Sequence, residues 1–110
     1  MKRLLLCLLL ALASPAVRAV DAAQEQAVLA KDGCQGCHAA NAVVNGPSYH
    51  DIAARYLNRP DARSYLAGKI RNGSENTWGA AGMPPNPDID ELELKAIVDW
   101  LVAGAPAPQK

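Results

Sequence analysis

The stretch Gly33–His38, GCQGCH, decides the fold, because two cysteines stand three positions apart and a histidine follows the second directly. Cysteine pairs at this spacing serve disulfide exchange, zinc binding or covalent haem attachment. A redox pair normally follows a strand of a βαβ unit, and no strand pattern precedes this one. A structural zinc site takes four ligands. Beyond Cys34, Cys37 and His38 the sequence offers only His50, and the three adjacent groups would crowd one metal.

Covalent haem attachment through the C-x-x-C-H motif is the interpretation that remains. Thioether bonds would join Cys34 and Cys37 to the two vinyl groups of the haem. A helical turn at this spacing brings the imidazole of His38 under the ring, where a nitrogen can bind the iron. A haem also gives a small chain an apolar disc around which to build its core. We therefore expect one covalently bound haem c.

The first residues, 1–19, read MKRLLLCLLLALASPAVRA and are predicted to be a cleaved secretory signal peptide. A basic start precedes an apolar run of about ten residues, and a bilayer-spanning helix needs about 20. Cleavage after Ala19 is favoured, with Ala22 or Ala23 as alternatives. The remaining residues, 20–110, form one domain without a membrane anchor, which we expect in the periplasm.

Cleavage at that position changes the charge of the chain. The full sequence has 11 basic and 11 acidic residues, and Lys2, Arg3 and Arg18 leave with the signal peptide, so the mature chain carries about −3. It has no basic stripe, which argues against a nucleic-acid partner. Cys7 is also removed, and a disulfide between the two remaining cysteines would close too small a loop to stabilise much.

The periodicity of apolar residues predicts four helices and no strands, so the fold class is all-α. The predicted helices are 20–31, 47–56, 60–71 and a last one that begins at a capping box of Asp88 and Glu91 and ends at Gly104. The last helix carries the clearest apolar stripe, formed by Leu94, Ile97, Val98 and Leu101 with Trp100 beside it.

The Gly- and Pro-rich stretch 72–88 lies between the last two predicted helices and contains Met83. A loop this long in a small domain is usually functional or disordered. Gly82 allows the backbone to approach a haem closely. Met83 is therefore the predicted sixth iron ligand, which would raise the reduction potential. His50 is the rival candidate, although it stands within the second predicted helix.

Together these motifs resemble the small bacterial class I cytochromes c of the cytochrome c-551 type. The similarity covers nearly the whole mature chain and rests on GCQGCH at 33–38, NGPSYHDIAARY at 45–56, KIRNGS at 69–74, WGAAGMPPN at 78–86 and the last helix. It implies the cytochrome c fold, with about four short helices wrapped around one covalently attached haem. It also implies that Cys34 and Cys37 hold the haem and that His38 and Met83 are its axial ligands.

The resemblance further implies a haem pocket. A backbone carbonyl at Pro47 would orient the ligating histidine, as such ligands require, and Asn86 would donate to the methionine sulfur. Trp78 would pack at the haem edge and reach a propionate. Lys69 would meet a propionate as well, with Arg71 as the alternative. The chain departs from many relatives in having no phenylalanine.

The expected function is that of a soluble, monomeric, periplasmic one-electron carrier rather than an enzyme. Two filled axial positions leave the iron no open site for oxygen or peroxide. By resemblance, its partners are redox proteins: a quinol-oxidising complex upstream and a terminal oxidase or nitrite reductase downstream. Two other interpretations remain open, a haem peroxidase or gas-handling protein with Met83 off the iron, and a haem sensor or fixed subunit of a larger complex.

Overall fold

The computed structural model describes residues 22–108, and helices connected by loops make up this part of the chain. The helices are α1 (Ala22–Lys31), α2 (Tyr49–Tyr56), α3 (Ala62–Asn72) and α4 (Glu91–Val102), with a 3-10 turn at Cys34–Gly36. Among these residues, strand-like pairing is limited to two isolated bridges, His38 with Val43 and Ser74 with Met83. The predicted all-α fold class is confirmed.

The predicted signal peptide, residues 1–19, lies outside the described residues, so its cleavage stays a prediction. Between residues 22 and 108, each helix is too short or too polar to cross a bilayer.

Helix α4 forms the centre of the core and packs against the other three helices. Its predicted apolar stripe is confirmed, since five of its side chains are at most 5% exposed: Leu94, Ile97, Val98, Trp100 and Leu101. They meet Leu29 of α1, Tyr49 of α2 and Leu66 of α3, which are also buried. Burial of each large aliphatic side chain contributes about 1.5–3 kcal/mol, so this contact is the main source of the tertiary structure.

The beginning of α4 differs from the prediction, because the cap is Asp90 and not Asp88. The Asp90 carboxylate accepts hydrogen bonds from the backbone amides of Leu92 (2.9 Å) and Glu93 (3.1 Å). Asp88 lies in a turn instead, where the amide of Ile89 donates to the carbonyl of residue 86 at 3.4 Å. Both aspartates are residue types that favour a helix cap, and Asp90 has the extended backbone that a cap requires (φ −60°, ψ 138°).

Helix α2 begins after Ser48, whose hydroxyl accepts a hydrogen bond from the Asp51 amide at 3.0 Å. Ser48 is 2% exposed, so this cap is fixed within the core. Pro47 directly precedes this cap. It is therefore held at the start of α2, next to the histidine of the C-x-x-C-H motif.

Candidate functional site

A cleft of about 980 Å³, its open mouth included, lies between the helices and the loops that follow α1 and α3. Its apolar wall includes Leu29, Ile52, Leu66, Ile70, Ile97 and Leu101. The same cleft is lined by most of the predicted site residues, namely Cys34, Cys37, His38, Pro47, Lys69, Trp78 and Met83. The fold thus brings together side chains that are up to 49 positions apart in the sequence, Cys34 and Met83 being the two extremes.

The two cysteines lie at either end of the 3-10 turn that follows α1. Gly33 enters the turn with a φ of 77°, in the left-handed region that favours glycine. The amides of Cys37 (3.2 Å) and His38 (3.0 Å) both donate to the Cys34 carbonyl, which fixes the motif as one compact unit. Burial, with Asp32 nearby, raises the pKa of the Cys34 thiol. A disulfide-exchange cysteine needs a lowered pKa, so this environment argues against that chemistry.

His38 is oriented by a backbone carbonyl. Its Nδ1 lies 2.7 Å from the Pro47 carbonyl oxygen, which can only accept, so Nδ1 carries the proton and donates. The Nε2 atom then keeps its lone pair as the free ring nitrogen of a side chain that lines the cleft. The Tyr49 ring stacks on the imidazole with the two centroids 5.6 Å apart. These two contacts fix both the tautomer and the plane of the ring, as a metal-binding histidine requires.

Gly46 is a residue that the sequence analysis missed. A Cβ atom there would lie 2.6 Å from Cε1 and 3.0 Å from Nδ1 of His38, so the imidazole would have to leave the Pro47 carbonyl. We expect Gly46→Ala to lower the free energy of unfolding by about 1–3 kcal/mol, the usual range for overpacking. Denaturant unfolding of the haem-loaded protein measures this.

The matched control is Gly68→Ala, because that glycine lies inside α3 and a Cβ there meets no atom within 4 Å. Alanine is a better helix former than glycine, so this variant should gain about 0.5–1 kcal/mol. Equal stability of the Gly46 and Gly68 variants would contradict the steric account.

The Met83 side of the cleft is fixed by backbone pairing. The Met83 amide donates to the Ser74 carbonyl (2.8 Å), and the Ser74 amide donates to the Met83 carbonyl (3.0 Å). Asn86 ties the next residues to the end of α3, since its side-chain amide donates to the carbonyls of Ile70 (3.1 Å) and Pro84 (3.4 Å). These bonds show Asn86 supporting the loop backbone, and its donation to the methionine sulfur stays a prediction.

Gly73 is the second residue that the sequence analysis undervalued, having predicted only a helix end there. Its φ of 76° and ψ of −179° lie in a region that only glycine populates. A Cβ atom would also lie 2.5 Å from the Met83 carbonyl oxygen and 2.9 Å from the Pro85 nitrogen, both backbone atoms. We expect Gly73→Ala to cost about 3 kcal/mol or more of unfolding free energy, combining strain with overpacking.

Gly104→Ala is the control for strain alone, since that glycine also has a positive φ (98°) but a Cβ there meets no atom within 4 Å. Its cost should stay near 1–2 kcal/mol. Thermal unfolding of both variants would show the difference, and a Gly104 variant that is as unstable as the Gly73 variant would contradict the proposed clash.

The remaining predicted pocket residues lie at the mouth of the cleft or outside it. Trp78 is 37% exposed and its ring meets Tyr56 edge-on at 6.3 Å. Lys69 extends its Nζ over the Tyr65 ring, 5.3 Å from the centroid. Its alternative, Arg71, is not a cleft residue and pairs instead with a carboxylate of α4.

His50, the rival ligand, lies outside the cleft lining. One ring nitrogen meets the Asn41 side-chain oxygen and the other lies 3.1 Å from the Ala105 carbonyl oxygen. Both nitrogens are therefore engaged away from the cleft, which leaves the cleft with one imidazole.

The donor set and the walls fit a covalently bound haem. Two thiols, an imidazole with a free nitrogen and a thioether face one apolar cleft, and nitrogen and sulfur are the ligands that haem iron takes. The Tyr49 hydroxyl also belongs to this region. It is buried without a hydrogen-bond partner among residues 22–108, and burial raises its pKa to about 12. A buried orphan hydroxyl is rare in a completed structure, so this atom is consistent with a further group in the cleft.

Comparison with known proteins agrees with this geometry. The family model described as "Cytochrome C oxidase, cbb3-type, subunit III" matches residues 21–101. Cytochrome c-552 of Nitrosomonas europaea is 43% identical over 91 residues, which cover 82% of this chain and 88% of that protein. Cytochrome c-552 of Hydrogenobacter thermophilus is 38% identical over 103 residues, covering 94% and 98% of the two chains.

The same similarity holds in three dimensions. The crystal structure of wild-type Nitrosomonas europaea cytochrome c552 superposes with a TM-score of 0.69 at 40% sequence identity. The match covers 72% of this chain and 98% of the other. The fold is therefore shared with a solved protein over almost the whole length of that protein.

Proposed function

Because this chain belongs to the cytochrome c family and so holds one covalently bound haem c, we propose that it is a one-electron carrier with His38 and Met83 as the axial iron ligands. The observation that carries the proposal is the shared cleft, in which an oriented imidazole and a backbone-fixed methionine meet two cysteines at the motif spacing. The bound haem supplies one iron that changes between Fe(II) and Fe(III).

The residues of the chain hold that iron in a constant environment. Cys34 and Cys37 would anchor the haem by thioether bonds. The Pro47 carbonyl keeps the proton on Nδ1 of His38, so Nε2 stays available in both oxidation states. The two backbone hydrogen bonds between Ser74 and Met83 likewise fix the main chain from which the methionine side chain extends. An electron carrier benefits from such fixed ligands, because little has to rearrange when the charge on the iron changes.

The apolar wall of the cleft determines what else can reach the iron. With haem bound, the apolar side chains of α3 and α4 that line the cleft would keep water from it, and His38 and Met83 would leave the iron no open position for a substrate. This favours transfer of an electron over an enzyme's chemistry. A thioether ligand also raises the reduction potential relative to a second imidazole.

Potentiometric titration of the purified, haem-loaded protein tests the carrier function. We expect a single one-electron transition, and no binding of carbon monoxide to the reduced protein because Met83 occupies the sixth position. Rapid carbon monoxide binding would contradict the proposal and favour a gas-handling protein or an enzyme with an open iron.

We also propose that the protein acts in the periplasm as a soluble monomer. The support is the signal-like segment 1–19, whose loss gives a mature chain that begins at Val20. Mass spectrometry of the protein from a periplasmic extract should give the mass of residues 20–110 plus one haem. A full-length chain that remains with the cytoplasm would contradict export.

The proposed partners are redox proteins that dock briefly at the haem edge, through the small interfaces typical of electron transfer. By family resemblance, these are a quinol-oxidising complex as the donor and a terminal oxidase or nitrite reductase as the acceptor. The mature charge of about −3 makes the rate of each encounter depend on salt. A fixed place in an oxidase, which the name of the matched family model suggests, would instead appear as co-purification with the larger complex.

A further inference from the structure

The loop 74–83, which we call the Trp78 loop, is closed at its neck but has little internal structure to fix its tip. The Ser74 and Met83 bridge closes the neck. Between these residues, Asn76 (φ 56°) and Gly79 (φ 104°) have left-handed backbones, and such a conformation in asparagine has an energetic cost. Such backbone conformations persist where the surrounding contacts hold them, so contacts from outside the loop are expected to fix its tip.

Arg55, in the last turn of α2, supplies two contacts of that kind. Its Nη1 donates to the Thr77 carbonyl at 2.9 Å. Its guanidinium lies over the Trp78 ring, 4.3 Å from the centroid. One side chain thus contacts two consecutive residues at the tip of the loop, and the second of them lines the cleft.

In the part of the chain that the structure describes, no carboxylate competes for the charge of Arg55, and its guanidinium lies closer to the Trp78 centroid (4.3 Å) than to the Tyr56 centroid (5.6 Å). Five basic side chains there pair with carboxylates, namely Lys31, Arg59, Arg63, Arg71 and Lys95. Between residues 22 and 108 no carboxylate lies within 4.0 Å of Arg55, so the hydrogen bond of its guanidinium and its nearer ring contact are both made with the loop.

We propose that Arg55 is a positioning residue that holds the Trp78 loop against the cleft and, through the neck of the loop, restrains Met83. The inference rests on the proposed function where it makes Met83 an iron ligand, but the contacts with Thr77 and Trp78 do not depend on it. Lysine cannot replace arginine here, because an ammonium group can donate to the carbonyl but lacks the flat face that stacks on the indole.

Hydrogen exchange of the haem-loaded protein tests the proposal amide by amide. In Arg55→Ala we expect the amides of the Trp78 loop, including that of Met83, to exchange about tenfold faster, since one hydrogen bond and one exposed cation–π contact are lost. The amides of α4 should keep their rates. Arg55→Lys should fall between the wild type and Arg55→Ala, because it keeps only the hydrogen bond.

The matched control is Arg63→Ala, which removes an exposed arginine of α3 that pairs with Asp99 and does not contact the loop. It should leave the exchange of the Trp78 loop unchanged. Unchanged loop exchange in Arg55→Ala, equal acceleration in α4, or full rescue by Arg55→Lys would each overturn the proposal.

Imidazole binding to the oxidised protein separates this inference from the proposed function. Arg55→Ala should bind imidazole about tenfold more tightly than the wild type, because a freer loop releases Met83 more easily. If the wild type itself shows no methionine-ligated spectrum, the ligand assignment fails, while the exchange measurement still decides whether Arg55 positions the loop.

Discussion

Met83→Ala is expected to lower the reduction potential by about 0.2 V, a quarter of the roughly 0.8 V over which axial ligands tune haem proteins. The physical reason is that a thioether stabilises the ferrous state, and water or another donor that replaces it does not. The structure places Met83 in the same cleft as Cys34, Cys37 and His38. Its main chain pairs with Ser74, so the loop backbone should survive the loss of the side chain. Potentiometry combined with carbon monoxide binding measures the effect.

The control for this variant is Leu92→Ala, which removes an apolar side chain of α4 that is 78% exposed and lies outside the cleft. Its potential should equal that of the wild type. An unchanged potential in Met83→Ala, or a fall of the same size in Leu92→Ala, would contradict the ligand assignment.

Removal of both haem-attaching thiols, Cys34→Ala with Cys37→Ala, is expected to yield a chain that no longer folds. The cleft opens among apolar side chains that are only partly buried, such as Ile52, Tyr65 and Met83, and without a covalently held haem these would stay in contact with water. In a chain of this size we expect the helix contacts around α4 to be too few to hold the fold without the haem. The ellipticity at 222 nm should fall by more than about half, as in other small proteins whose folding depends on a bound group.

The third cysteine offers the matched control for that experiment. Cys7→Ala changes a residue of the predicted signal peptide, so the mature protein should be identical to the wild type in haem content and helicity. If the double variant still contains haem that acidified solvent cannot extract, attachment through Cys34 and Cys37 is contradicted.

Much of this fold could be predicted from local sequence. The stripe of Leu94, Ile97 and Leu101 and the breaks at Gly73 and Gly104 specify helices without any tertiary information. Helix starts were less certain, because a cap depends on which of several competing residues adopts an extended backbone. Asp88 and Asp90 are chemically equal candidates, and the turn that includes Asp88 decides between them.

The cleft's supporting residues were harder to predict, since their importance comes from partners distant in sequence. Gly46 matters because the ring of His38, eight positions earlier, occupies the space of its missing Cβ. Arg55 matters because Thr77, 22 positions later, turns a carbonyl towards it. The one signal for Gly46 in the sequence is its position directly before Pro47, the residue predicted to orient His38. An exposed arginine gives no such signal.

The visible spectrum of the purified, haem-loaded protein, oxidised and then reduced, tests the central claim most directly. We expect a haem that cannot be extracted and, in the oxidised protein, the weak far-red band of sulfur-to-ferric-iron charge transfer, which disappears in Met83→Ala. A covalent haem without that band would contradict methionine ligation and would favour an enzyme or a sensor with an accessible iron.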